Sequence, residues 1–83
     1  MPVPVVVPEL GAGKQPVRLG GWLVQPGETV DIGDRLVELL VEGVTFDLPA
    51  PASGVFAAAE HSANAAVRTG DVIGWISGPA QAQ

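Results

Sequence analysis

Folding the chain about Glu42-Gly43 places residues equidistant from that dipeptide opposite one another, pairing Val41 with Val44, Leu39 with Phe46 and Val37 with Leu48. All six are apolar. The intervening positions pair Leu40 with Thr45 and Glu38 with Asp47. Side chains alternate faces along a strand, so a single register predicts an antiparallel hairpin with one buried face and one polar face. Two carboxylates directly opposite each other are mildly unfavourable, which keeps the second face in water. Gly43 supplies the positive φ that a tight turn needs, and Glu42 before it suits a type I turn with a glycine bulge better than a type I′ turn.

The same alternation organises the rest of the chain into short strands. Val3 to Pro8 is β-branched but interrupted by proline, which predicts an edge strand, and Glu9 to Pro16 reads as a loop. Val17 to Val24 is a second strand, with Gly20-Gly21 marking a bulge or close approach and Trp22 the expected large core side chain. Pro26-Gly27 predicts a type II turn, Thr29 to Ile32 a short extended piece, and Gly33-Asp34 a turn into the strand Arg35 to Val41. Laying Trp22 to Leu39 over Ala59 to Ile76 at an offset of 37 matches Val30 with Val67, Gly33 with Gly70 and Asp34 with Asp71, and sets Gly27 on Asn64. Asn is the commonest non-glycine residue in left-handed turns, so the match falls where a backbone repeat would show. The prediction is an all-β sandwich of two similar halves, each burying its apolar face against the other. Ala57 to Ala66 has helix propensity, but Ser62 and Asn64 break it and the repeat requires a strand end and a turn there. The domain is expected over 1–77, with a flexible tail over 78–83.

Composition narrows the function classes. Eighty-three residues suffice for one domain with a thin core, burying roughly 60 to 65% of the unfolded surface. A net charge of −5 with only four Lys and Arg argues against a nucleic-acid surface or an anionic-membrane patch. No apolar run approaches the ~18 residues of a membrane span, and Met1-Pro2-Val3-Pro4 lacks the basic start of a signal peptide, so a cytoplasmic location is expected. Cysteine is absent and His61 is the one histidine, which excludes disulfides, thiolate metal sites and Cys-His nucleophile pairs. His61 and Ser62 are sequence neighbours in an extended segment and point apart. Asp31, Asp34 and Asp71 belong to turns, where carboxylates cap backbone N–H groups. Glu38 and Asp47 lie on a flat wet face with no pocket to raise either pKa. Gly11-Ala12-Gly13-Lys14 lacks the Ser or Thr, the spaced glycine and the helix of a phosphate loop. No catalytic residue and no metal site emerge.

From Glu42-Gly43-Val44-Thr45-Phe46-Asp47-Leu48-Pro49-Ala50-Pro51 to Gly54, the chain resembles a lipoyl domain, the swinging-arm carrier of 2-oxo acid dehydrogenase acyltransferase subunits. Resemblance extends through Val7-Pro8-Glu9-Leu10-Gly11, Trp22-Leu23-Val24-Gln25-Pro26-Gly27-Glu28-Thr29-Val30, Gly33-Asp34, Gly70-Asp71 and Ile76, covering about 3–77. The biotin carrier branch has Met on both sides of its attachment lysine, whereas Glu42 and Val44 flank Gly43, so the lipoyl branch is closer. The resemblance implies a flattened barrel-sandwich hybrid of two four-stranded antiparallel sheets related by a pseudo-two-fold repeat, with the attachment lysine at the hairpin tip. Here Gly43 stands at that position, and neither Glu42 nor Val44 has an amine. The expectation is a lipoyl-like domain that cannot be acylated and carries no cofactor. It would act as an accessory module with protein partners, components of a 2-oxo acid dehydrogenase complex among them. The alternative is a carrier lipoylated or biotinylated on Lys14, the one lysine, in the loop that lies beside the tip in the family. A scaffold role, as in transport adaptors of this fold, ranks last because those carry a long helical insertion where two residues stand here.

Overall fold

The computed structural model describes residues 2–78 and is built from strands and turns. Eight strands follow in order: β1 (Val3–Val6), β2 (Val17–Trp22), β3 (Thr29–Val30), β4 (Arg35–Val41), β5 (Val44–Pro49), β6 (Gly54–Ala59), β7 (Ala66–Val67) and β8 (Val72–Ser77). They form two four-stranded antiparallel sheets with orders β1-β8-β6-β3 and β5-β4-β2-β7. The proline-containing β1 is an edge, as expected, and Ala57 to Ala59 are strand rather than helix. Of the expected tail over 78–83, residues 79–83 lie outside the described residues.

Advancing every strand by four in the first sheet order generates the second, which is the pseudo-two-fold repeat in topological form. The offset of 37 holds in detail. It carries β2 onto β6, β3 onto β7, and the bulge between Leu19 and Gly21 onto the bulge between Phe56 and Ala58. Left-handed turn residues correspond as well: Gly33 (φ 92°) with Gly70 (φ 93°), and Gly27 (φ 100°) with Asn64 (φ 72°). Each half satisfies the other's turns. Gly27 N–H donates to the Phe56 carbonyl at 2.8 Å and Asn64 N–H to the Leu19 carbonyl at 2.7 Å. Likewise Gly33 N–H reaches the Ala50 carbonyl at 3.0 Å and Gly70 N–H the Val7 carbonyl at 2.8 Å. Buried backbone groups need partners, so neither half is complete without the other. Asp34 and Asp71 cap their turns from within, accepting from Asp31 N–H and Arg68 N–H, each at 2.8 Å.

One apolar cluster joins both sheets, with Val5, Phe56, Ile73 and Ile76 from the first meeting Leu19, Val37, Leu39 and Leu48 from the second. Phe56, not Trp22, is the largest fully buried side chain. Trp22 is half-buried at the margin of that core, stacked obliquely on Phe56 with ring centroids 4.9 Å apart and donating from Nε1 to the His61 carbonyl at 2.8 Å. Its indole N–H needs a partner, and the core's edge is where one exists. Leu36, which plain alternation would place outside, is also fully buried. A bulge between Arg35 and Val37 provides the extra turn that brings it in.

Candidate functional site

The predicted hairpin register holds at every pair from Val37↔Leu48 to Val41↔Val44. The turn type does not. Glu42 has φ 50° and Gly43 φ 80°, so both central residues are left-handed and the turn is type I′. Pairing Val41 with Val44 leaves only two loop residues, and the type I′ turn is the one whose twist matches that of the flanking strands. Glu42 therefore sits where a β-carbon is disfavoured by roughly 1–2 kcal/mol. On the polar face Glu38 opposes Asp47, and Arg35 Nη1 pairs with Asp47 Oδ2 at 3.2 Å, offsetting the like-charge contact.

The apolar face of the hairpin is buried only near its base. Val37, Leu39 and Leu48 lie in the core, whereas Phe46 is 36% and Val44 56% exposed. Alternation predicted which residues share a face, but the facing sheet covers that face only part of the way to the tip. Leu10, Gly11 and Ala12 of the β1–β2 loop come up beside the exposed part, and with Gln15 and Glu42 they border a shallow depression of about 260 Å³. Sequence reasoning did not anticipate the exposure of Val44 and Phe46 here. Three apolar residues around the turn, Val41, Val44 and Phe46, were its signal, read as part of the buried face.

Lys14 stands in the same loop and is exposed. Gln15 N–H donates to the Ala12 carbonyl at 3.0 Å, closing a turn in which Gly13 (φ 63°) takes the first central position and Lys14 the second. The loop thus lies beside the tip, but the depression at the tip is bordered by Leu10 to Ala12 and Gln15 rather than by Lys14 itself. His61 is half-buried. Its carbonyl holds Trp22, and its Nδ1 is buried without a partner. It is brought near neither the tip nor Lys14 by any hydrogen bond among the described residues. No group of three or more His, Cys, Asp or Glu among the described residues is placed to hold a metal, and no helix there is long and apolar enough to cross a membrane.

Two interlocked four-stranded sheets with a two-residue hairpin tip define a biotin- or lipoyl-attachment type of domain. The sequence agrees: residues 3–76 match the family described as "Biotin-requiring enzyme", and the chain belongs to it. More closely, it is a lipoyl domain related to 2-oxo acid dehydrogenase acyltransferases. It is 36% identical over 73 residues to the dihydrolipoyllysine-residue succinyltransferase component of the 2-oxoglutarate dehydrogenase complex of Bacillus subtilis, a match covering 88% of this chain and 18% of that protein. It is also 31% identical over 67 residues to the dihydrolipoyllysine-residue acetyltransferase component of the pyruvate dehydrogenase complex of Mycobacterium tuberculosis, covering 81% of this chain and 12% of the relative. The chain therefore spans less than a fifth of the length of these relatives. In solved structures, the lipoyl domain of the 2-oxoglutarate dehydrogenase complex from Azotobacter vinelandii superposes with a TM-score of 0.68 at 23% identity, covering 88% of this chain and 89% of that one. That likeness concerns the fold alone. Such domains are carrier modules rather than catalysts.

Proposed function

We propose that this lipoyl domain serves as a protein-docking module that cannot be acylated at its hairpin tip, working beside components of a 2-oxo acid dehydrogenase complex. The observation that carries the reading is Gly43 at the second position of the tip turn. Lipoylation forms an amide on a lysine amine, and a hydrogen atom offers no nitrogen; Glu42 and Val44 supply none either. The residues at this tip do not fit a lipoyl group. What the tip does present is a partner surface: half-exposed Phe46 and Val44 beside Leu10 and Ala12, with the Glu42 carboxylate at the rim. An apolar centre with a charged rim is the anatomy of a small transient interface. The kinship with acyltransferase components supports dehydrogenase-complex proteins as the partners. The test combines intact mass after incubation with a lipoate ligase, lipoate and ATP with surface-plasmon-resonance binding to dehydrogenase and acyltransferase components. An unchanged mass with measurable binding is expected, while a lipoyl increment at residues 42–44 or no binding to any component would sink the proposal.

A carrier reading is favoured by one observation. Lys14 occupies the second central position of a hydrogen-bonded turn beside the tip, the turn position that Gly43 holds in the hairpin. Peptide mapping of protein from its natural source decides it, since a lipoyl or biotinyl increment on the Lys14 peptide would make this domain a covalent carrier.

A further inference from the structure

The two halves of the molecule differ most in one connection. Ten residues, 7–16, join β1 to β2, whereas the equivalent connection from β5 to β6 has four, 50–53. In the short connection Ser53 Oγ accepts from Ile32 N–H at 2.9 Å, drawing the chain down onto the turn at 31–34. The turn at 68–71 is its repeat mate, yet it carries Arg68 in place of Asp31 and Thr69 in place of Ile32. There the longer connection is tied to the turn at its start, through Val7 and Glu9, and its later part, residues 12–16, stands away from it. A half-open groove of about 690 Å³ lies between them, walled by Lys14, Pro16, Val17, Val67, Arg68 and Thr69.

Two cations, Lys14 and Arg68, and two carboxylates, Glu9 and Asp71, line this groove, and they differ in their partners. Four Lys and Arg serve the whole chain, and two are engaged elsewhere: Arg18 donates to the Asn64 carbonyl at 3.1 Å and Arg35 pairs with Asp47 at 3.2 Å. The other two are Lys14 and Arg68, both exposed and without a hydrogen-bond or ion-pair partner on their side-chain nitrogens among the described residues. Glu9 and Asp71 keep their negative charges but already have donors, whereas the two cations have no partner among the described residues. Glu9 accepts from Gly11 N–H at 3.2 Å and from Thr69 Oγ1 at 3.3 Å, and Asp71 accepts from Arg68 N–H at 2.8 Å. An anion entering the groove would thus find two cations free to turn toward it over a floor of valine and proline.

We propose that this groove docks an extended acidic segment of a partner protein, with one Glu or Asp carboxylate held between Lys14 and Arg68. A trough between a loop and a turn admits a chain lying through it, and its apolar floor accepts the stem of the segment. At long range the domain's net charge of −5 repels an acidic partner, so attraction is confined to the groove, within a Debye length of ~10 Å. Recognition there is local and sensitive to salt. The inference rests on the groove alone and not on the chemistry at position 43.

The experiment is a ¹⁵N-¹H NMR titration of the whole chain with an acetylated, amidated Ala-Glu-Val-Glu-Ala peptide, with the Gln-for-Glu peptide and succinate as separate arms. Saturable shifts centred on the amides of Lys14, Arg68 and Thr69 are expected with the Glu peptide only. The double variant Lys14→Gln, Arg68→Gln, whose unperturbed spectrum elsewhere reports an intact fold, should bind about tenfold more weakly. Raising the salt to about 1 M should abolish the response. An equal response to the Gln peptide, shifts centred elsewhere, an unaltered affinity in the double variant, or no saturable change up to about 10 mM peptide would overturn the proposal. Equal binding of succinate would overturn it too, by making the groove a site for free carboxylates rather than for a protein segment.

Discussion

Replacing Gly43 tests the geometry and the chemistry of the tip at once. A β-carbon built there meets nothing within 4 Å, so crowding contributes no cost. The backbone does, because φ is 80° and an L-residue in the left-handed region loses roughly 1–2 kcal/mol. Gly43→Lys and Gly43→Ala are therefore expected to destabilise by about 1 kcal/mol or somewhat more, and Gly43→Asn by clearly less, because its short amide tolerates this conformation. For a domain of this size, 1 kcal/mol corresponds to about 4–8 °C in Tm. Calorimetry on the three variants gives the ranking. If Ala and Asn cost the same, or if neither costs anything measurable, the type I′ assignment and the strain argument built on it are wrong. The Lys variant carries a second readout, since a lipoate ligase now has an amine at the tip. Gain of a lipoyl increment would show that the glycine alone withholds the arm. A folded but unmodified Gly43→Lys protein would mean that other recognition features of the domain are missing as well.

Two glycines elsewhere should behave oppositely. A β-carbon at Gly54 would overlap the Ser77 carbonyl oxygen, whereas at Gly21 it meets open space, so Gly54→Ala should cost about 3 kcal/mol or more and Gly21→Ala under about 0.5 kcal/mol in urea denaturation. Truncating Phe56, fully buried between the sheets, removes the largest core side chain; Phe56→Ala is expected to lose about 3–5 kcal/mol and to abolish the cooperative transition in near-UV circular dichroism. Trp22→Phe keeps the ring contact with Phe56 but loses the 2.8 Å bond to the His61 carbonyl, which predicts a loss of about 1 kcal/mol by thermal unfolding. Finally, the repeat places Val3 opposite Ile76 as Phe46 is opposite Leu39. A circular permutant joined between 78 and 2 and opened at Glu42-Gly43 should fold to the same sheets, with matching amide shifts away from the two junctions.

Pairing was legible in the residues. The alternation from Val37 to Leu48 determined the hairpin register to the residue, the prolines around β1 placed it at an edge, and the recurrence of Val30, Gly33 and Asp34 at Val67, Gly70 and Asp71 revealed the two-fold repeat. These are local properties: period two and turn chemistry follow from each residue's own backbone and its immediate neighbours. The family signature, with Gly43 at its centre, was likewise a matter of spacing. Exposure was not legible, because it depends on how far a distant sheet reaches. Val44 and Phe46 continue the buried face in pattern yet emerge beside the β1–β2 loop, Trp22 yields the centre to Phe56, and Leu36 turns inward through a bulge. Nor could the sequence show that the longer β1–β2 connection leaves a groove between Lys14 and Arg68, residues more than fifty positions apart. Alternation decides which side chains share a face, and only the packing of one half on the other decides which part of that face meets water.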